Sequence, residues 1–244
     1  MLCDDLQNPM QNQIGYYSLG KAGRPNEDRF RLLGGGFLPQ DQKYTGFQDS
    51  GRGEIYAVMD GVSSAPKGMK AAQHIADELM DFYTTDIPAT ISGLKNLVTQ
   101  INQSIVDWGI TDDQHAVGAS TLTLAWLFNQ QLHIFHVGDS TGFLMNSSGF
   151  MKVTQPHEND YGLFRFMGQR YDFCLDIKSY PLNSDDTICL VTDGITKKLK
   201  NPEIQKILED YAGEPDLAAR KLVETAKQRK VQDDITAIVI EVAI

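Results

Sequence analysis

The chain has 244 residues, 41% of them hydrophobic, enough to bury one large core, so a single domain over 1–244 is expected. Acids outnumber bases 32 to 22 for a net charge of −10, a balance repelled by nucleic acid and by anionic membrane. The longest apolar run, Thr121 to Phe128, is far short of the ~20 residues of a membrane span, and the start MLCDDLQNPM lacks the basic-then-apolar pattern of a secretory signal. Cys3, Cys174 and Cys189 are odd in number and widely spaced, fitting neither a disulfide framework nor a thiolate zinc site, and Cys189 reads as a small core residue. A cytoplasmic protein is the expectation.

QIGYYSL predicts a first strand. The segment that follows, GKAGRPNEDRF, is too broken by glycine and proline for a helix, yet it sets Glu27 beside Asp28 just after Arg24. Adjacent carboxylates repel unless something positive sits against them, and a divalent ion is one candidate. LPQDQKYTGFQDSGRG reads as a loop leading into the strand EIYAVMD. Ala72, Ile75, Ala76, Leu79 and Tyr83 recur at the spacing of one helix over Lys67–Tyr83. After Pro88 a second stripe runs through Leu94, Leu97, Val98, Ile101, Ile105 and Trp108.

Strands then follow at STLTLAWLF, LHIFHVGD, GFLMN, FMKVT and TICLVTD, with turn signals NQQ and NSSG between them. Asn201–Tyr211 and Pro215–Lys230 predict a second helix pair, each with proline where a first turn accepts it, and DITAIVIEV predicts a last strand. This order is not the strict β-α-β alternation of a doubly wound sheet. It predicts an α+β fold: an antiparallel β-sandwich flanked by helix pairs on both outer faces.

Three of the strands end alike, at Asp60 in YAVMDG, Asp139 in IFHVGDS and Asp193 in CLVTDG, while the last begins with Asp233 and Asp234. One Asp-Gly after a strand is ordinary turn chemistry. Several such acids converging at a sheet rim, with glycine-turn carbonyls beside them, form the hard oxygen donor set of Mg²⁺ or Mn²⁺. The histidines offer no rival site: His133 and His136 face opposite ways on one strand, and His74 lies in a helix, so zinc is disfavoured.

In order, NED, AVMDG, GASTLTLAWLFNQQLHIFHVGDS, TDG and DDITAIVI resemble the motifs of the metal-dependent type 2C (PPM) serine/threonine protein phosphatases of bacterial type, over about Ile14 to Val242. The family fold is a β-sandwich with helices on both outer faces. The resemblance implies a pair of Mn²⁺ or Mg²⁺ ions and possibly a third. Asp60 would bridge the pair with the Gly61 carbonyl as a further ligand, Asp193 and Asp233 would hold the second ion, and Asp28 with Glu27 would complete the first. Asp139 matches the aspartate that helps bind a weaker third ion. Water activated between two ions would attack phosphorus in line, without a covalent enzyme intermediate or a cysteine nucleophile. The partner implied is a phosphorylated protein, in opposition to a serine/threonine kinase, with the phosphatase acting as a monomer.

Three features depart from the family pattern. Arg24 stands one residue closer to Asp28 than the phosphate-holding arginine usually does, and Gly23 takes that place. Arg24 can hold phosphate across this slack, Lys21 is a rival, and the alternative is that Arg24 pairs with Glu27 or faces solvent. After Asp60-Gly61, Val62 cannot act as an acid and Ser63 and Ser64 replace glycines. The stretch from VTQPHEND to YGLFRFMGQ makes a short flap beside the site. Two other functions remain open: a regulatory module of the same fold that binds phosphoproteins or a kinase, which the complete aspartate set disfavours, and a hydrolase of small phosphate esters.

Overall fold

The computed structural model describes residues 12–33, 51–111 and 118–243. The predicted loop at 38–53 therefore lies mostly outside the described residues, as does Cys3. The first strands are β1 (Gln13–Leu19), β2 (Arg29–Leu33) and β3 (Glu54–Met59), followed by α1 (Gly68–Glu78), α2 (Asp81–Thr84) and α3 (Ile91–Thr111). A meander comes next: β4 (Leu122–Phe128), β5 (Gln131–Val137), β6 (Thr141–Asn146) and β7 (Gly149–Lys152). The small hairpin β8 (Glu158–Asn159) and β9 (Gly162–Leu163) precedes β10 (Asp176–Pro181) and β11 (Thr187–Val191). The chain ends in α4 (Asp193–Thr196), α5 (Asn201–Asp210), α6 (Pro215–Gln228) and β12 (Ile235–Glu241).

Two five-stranded sheets form, in the orders β1-β12-β11-β6-β7 and β10-β5-β4-β3-β2. Alternation along the strands divides the apolar residues among three layers. Tyr56, Val58, Ile134, Leu144, Leu190, Ile238 and Ile240 fill the space between the sheets. Ala57, Met59, Leu124, Trp126 and Phe135 point the other way, into α1 and α3. Cys189, Val191, Ala237 and Val239 pack on α5 and α6 through Ile204, Leu208, Leu222 and Val223. The sandwich and its flanking helix pairs are as the sequence predicts, and Cys189 is the core residue expected.

The helix expected over Lys67–Tyr83 is two pieces. At Leu79–Met80 the bonds tighten from four residues to three, with Met80 N–H donating to the Asp77 carbonyl at 3.1 Å and Tyr83 N–H to that of Met80 at 2.9 Å. The bend seats the Phe82 ring on Trp126 with centroids 5.5 Å apart, and the Tyr83 hydroxyl donates to the Gly53 carbonyl at 2.8 Å. β2 and β10, missing from the sequence reading, are the edge strands of one sheet. The three histidines considered as ligands have packing partners instead: His74 bonds Ser104, His133 bonds Ser179, and buried His136 bonds Thr123 and the Gln155 carbonyl.

Pairing register places the acids. β1 and β12 pair with Leu19 opposite Ile235, β11 and β12 with Val191 opposite Ala237, and β2 and β3 with Arg29 opposite Met59. The residues just after β1, β3 and β11 therefore share a rim with those just before β2 and β12. Residues 20–28 and 138–140 cross from one sheet to the other at that rim. The glycines after Asp60 and Asp193 serve close packing: neither has positive φ, and a Cβ on Gly61 would lie 2.6 Å from the Gly68 carbonyl carbon and 2.8 Å from Met69 N. Gly61→Ala must push the start of α1 off the rim. We expect it to lower the denaturant midpoint by the equivalent of about 1–3 kcal/mol, measured by urea unfolding.

Candidate active site

Asp28 sits immediately before β2 and is 97% removed from solvent, at 3% exposure. Its Oδ2 accepts from Thr192 Oγ1 at 2.9 Å and from Thr236 Oγ1 at 2.6 Å. Because Thr236 donates there, its hydroxyl oxygen receives the proton of Ser18 Oγ at 2.8 Å, and Ser18 in turn accepts from Asn26 Nδ2 at 3.0 Å. Asn26 Oδ1 accepts from the Asp28 N–H at 2.9 Å, closing the network on the residue it serves. Oδ1 of Asp28 is left without a partner.

Asp60, at the end of β3, is held through its backbone: its N–H donates to Thr121 Oγ1 at 3.0 Å, and its carbonyl accepts from Thr121 N–H at 2.8 Å and Ser120 Oγ at 2.9 Å. Gly61 N–H donates to the Glu27 carbonyl at 3.3 Å, which ties the two acid-bearing segments together. Asp193 opens α4. Lys197, one turn on, pairs with Asp193 Oδ2 and with Asp233 Oδ2, the latter at 2.9 Å. Asp139 follows β5, and the short flap is hung beside it: His157 N–H donates to the Gly138 carbonyl at 2.7 Å and Gly138 N–H to His157 Nδ1 at 3.1 Å.

Arg24 is engaged within the rim. Its Nη1 pairs with Glu27 Oε2 at 2.9 Å and donates to Ser63 Oγ at 2.8 Å, and its Nη2 reaches Asp233 Oδ1 at 3.3 Å. Ser63 donates to the same Glu27 Oε2 at 2.6 Å, so the serine that stands in a glycine place links arginine and acid. Pairing with Glu27, left open from the sequence, is what the structure shows. Lys21 meets the site through its backbone N–H, which donates to Asp234 Oδ1 at 2.6 Å.

Burial and the concentration of charge shift Asp28, Asp60, Asp139 and Asp193 in the same direction. Burial raises the Asp28 pKa to about 8 against the donated hydroxyls, and raises that of Asp139 to about 7. Asp60 is pushed well above the usual carboxyl range by burial and then by the charges of Asp28, Asp193, Asp139 and Asp233. Burial also raises Asp193, against the pull of Lys197. The five predicted aspartates thus act on one small volume, with Glu27 and Gly61 at its edge.

The donor set suits a hard divalent ion. Asp28, Asp139 and Asp193 each carry a buried Oδ1 without a hydrogen-bond partner, and their mutual repulsion is the kind a cation relieves. Among the described residues no three Asp, Glu, His or Cys side chains form a ready-made ligand cluster. The reason is visible in the ion pairs: Lys197 and Arg24 draw Asp193, Asp233 and Glu27 toward themselves.

Several working residues lie outside the predicted ligand set, Asp234 among them although the sequence reading names it at the head of the last strand. Thr192 and Thr236 are the hydroxyls on Asp28, and Asp234 straps the 20–28 segment by accepting from Lys21 N–H and from Glu27 N–H at 2.8 Å. The available signal was strand alternation, which puts Asp234 and Thr236 on one face of the β12 approach. Lys197 carried its own signal at i+4 from Asp193.

Residues 33–236 match the family model described as protein phosphatase 2C, a match that begins just after the Arg24–Asp28 segment. The serine/threonine phosphatase stp of Listeria innocua is 22% identical over 222 residues, spanning 80% of this chain and 87% of that protein. Among solved structures, PppA, titled a key regulatory component of T6SS in Pseudomonas aeruginosa, aligns with a TM-score of 0.76 at 21% identity, over 96% of this chain and 98% of its own. The Mycobacterium tuberculosis serine/threonine phosphatase PstP/Ppp gives 0.75 at 18% identity, over 96% and 100%. A family match over most of the chain, on a fold shared nearly end to end, establishes that this protein belongs to the protein phosphatase 2C family.

Proposed function

We propose that this chain hydrolyses phosphoserine or phosphothreonine in proteins with a pair of Mn²⁺ or Mg²⁺ ions at the rim. The observation that carries the reading is the gathering of Asp28, Asp60, Asp139, Asp193 and Asp233 from five separate stretches of sequence around Asp60. Asp60 would be shared between two ions, Asp28 with Glu27 and the Gly61 carbonyl would serve the first, Asp193 and Asp233 the second, and Asp139 a weaker third. Bound there, the ions would supply activated water and offset phosphoryl charge.

The chain's own groups do the positioning. Thr192 and Thr236 fix Asp28 in one orientation, and Asp234 fixes the loop that carries it. The Arg24 guanidinium, at the mouth and 30% exposed, has the planar fork that grips two phosphate oxygens, once a substrate dianion outcompetes Glu27 and Asp233. A groove of about 270 Å³ leads away from it past Ser63 to Lys67, Met69 and Lys70 at the start of α1. Lys70 lies over the Trp108 ring at 4.5 Å, which holds its charge beside the groove. Action on phosphoproteins opposite a serine/threonine kinase, as a cytoplasmic monomer, belongs to the same reading.

Release of phosphate from a phosphothreonine peptide should require Mn²⁺ or Mg²⁺, survive thiol-blocking reagents, and fall by about a hundredfold or more in Asp193→Asn. Equal turnover by wild type and variant would refute the site assignment. Turnover of p-nitrophenyl phosphate without the peptide would point to small esters, and binding of the peptide without turnover to a regulatory module.

Stability of the metal-free protein should depend on pH with an unusual sign. Above about pH 7.5 histidines are nearly all neutral in both folded and unfolded chains, and ordinary carboxyls are ionised. Asp28 and Asp139, titrating near 8 and near 7 when folded, still hold protons that the unfolded chain has lost, so folding becomes less favourable as pH rises through those values. In chelator the thermal midpoint should drop between about pH 7.5 and 8.5, and added Mn²⁺ should abolish or reverse the drop. A midpoint in chelator that is flat or rising over this range would contradict the electrostatic account.

A further inference from the structure

The two halves of the acid cluster are neutralised in different ways. Around Asp28 the partners are hydroxyls, from Thr192 and Thr236. Among the described residues no lysine or arginine pairs with Asp28 or Asp60. Around Asp193 and Asp233 the partner is a cation. The Lys197 ammonium lies between the two carboxylates, in contact with one oxygen of each, and Arg24 Nη2 adds a looser contact to Asp233 at 3.3 Å. An ammonium is a compact point charge with several donors, a fair stand-in for a small divalent ion between two acids. It also stands at the C-terminal cap of α4, where its backbone N–H donates to the Asp193 carbonyl at 2.8 Å, so its position one turn from Asp193 is built into the fold. Its side chain is 50% exposed and has solvent to move into when displaced.

Resting on the binuclear reading above, we propose that Lys197 is an intramolecular competitor for the second cation position. Its ammonium occupies the Asp193–Asp233 pair in the metal-free protein, and an ion binds there only by displacing it. At the first position Asp28 and Asp60 carry no such ammonium, Arg24 reaching only Glu27 at its edge, and that position fills first. The device keeps the metal-free rim folded despite its crowded acids, and it makes occupancy of the second position respond to the free ion concentration over a range where the first is already full.

Calorimetric titration of Mn²⁺ into the chelator-stripped full chain, at fixed pH and ionic strength, tests this without reference to catalysis. Wild type should show one tighter and one weaker site. Lys197→Met, nearly as long but uncharged, should tighten the weaker site by about tenfold and leave the tighter one within about twofold, while lowering the thermal midpoint in chelator. Lys197→Arg should keep the weak second site. Lys197→Gln repeats the neutral test should the methionine variant fold poorly. Unchanged or weakened second-site affinity in both neutral variants would overturn the proposal and leave the binuclear reading standing. Fewer than two bound ions in wild type and variants alike would overturn both.

Discussion

The structure turns on the repulsion among carboxylates buried at one rim of the sandwich. A lone ionised acid in such a place would be costly, and here several share the cost. They can be held together only because the backbone segments that carry them are fixed by other forces. The antiparallel ladders of two five-stranded sheets end at that rim, and three apolar layers hold the sheets against each other and against the helices. The core's favourable burial therefore supports a locally unfavourable charge arrangement, as strained functional sites require.

Close backbone approach is the second condition. Gly61 lies against Gly68 at the start of α1, and Gly194 lies against the Asp234 carbonyl. Each Asp-Gly pair thus has a division of roles: the aspartate faces the cluster and the glycine lets the next element press in behind it. Turn chemistry, the natural reading of Asp-Gly, is not the reason for these two glycines, since neither has a left-handed backbone. The consequence is mechanical. A side chain at either position would move an acid, not merely loosen a loop.

Central strands were readable because both their faces are buried, which leaves long apolar runs such as those of β4, β11 and β12. The edge strands β2 and β10 were not. β2 alternates Arg29 and Arg31 with Phe30 and Leu32, and its guanidinia are spent on α1: Arg29 on Gln73, and Arg31 on the Ala76 carbonyl and Asp77. Such partners are invisible in a linear text. β10 is half-exposed and polar for the same reason. At the site, acids at strand ends stood out because carboxylates are rare beside apolar runs. Threonines in the same places did not, because threonine is common in strands and its hydroxyl acquires meaning only when Thr192 and Thr236 meet Asp28 in space.

An acidic protein that handles a phosphorylated substrate seems at odds with its own field, yet the distribution of charge resolves this. With a net charge of −10, long-range steering of an anion is unfavourable. Screening confines that effect to about 8 Å at physiological ionic strength, and the rim itself carries the cationic side chains Arg24 and Lys197, with Lys67 and Lys70 along the adjoining groove. Arg24 and Lys197 are held in place by the very acids that need neutralising. Were ions to take over that neutralising role, as proposed above, the two side chains would be released at the mouth where a phosphoryl group would enter. The acids that repel a substrate in the metal-free state thus hold in reserve the cations that would meet it in the loaded one.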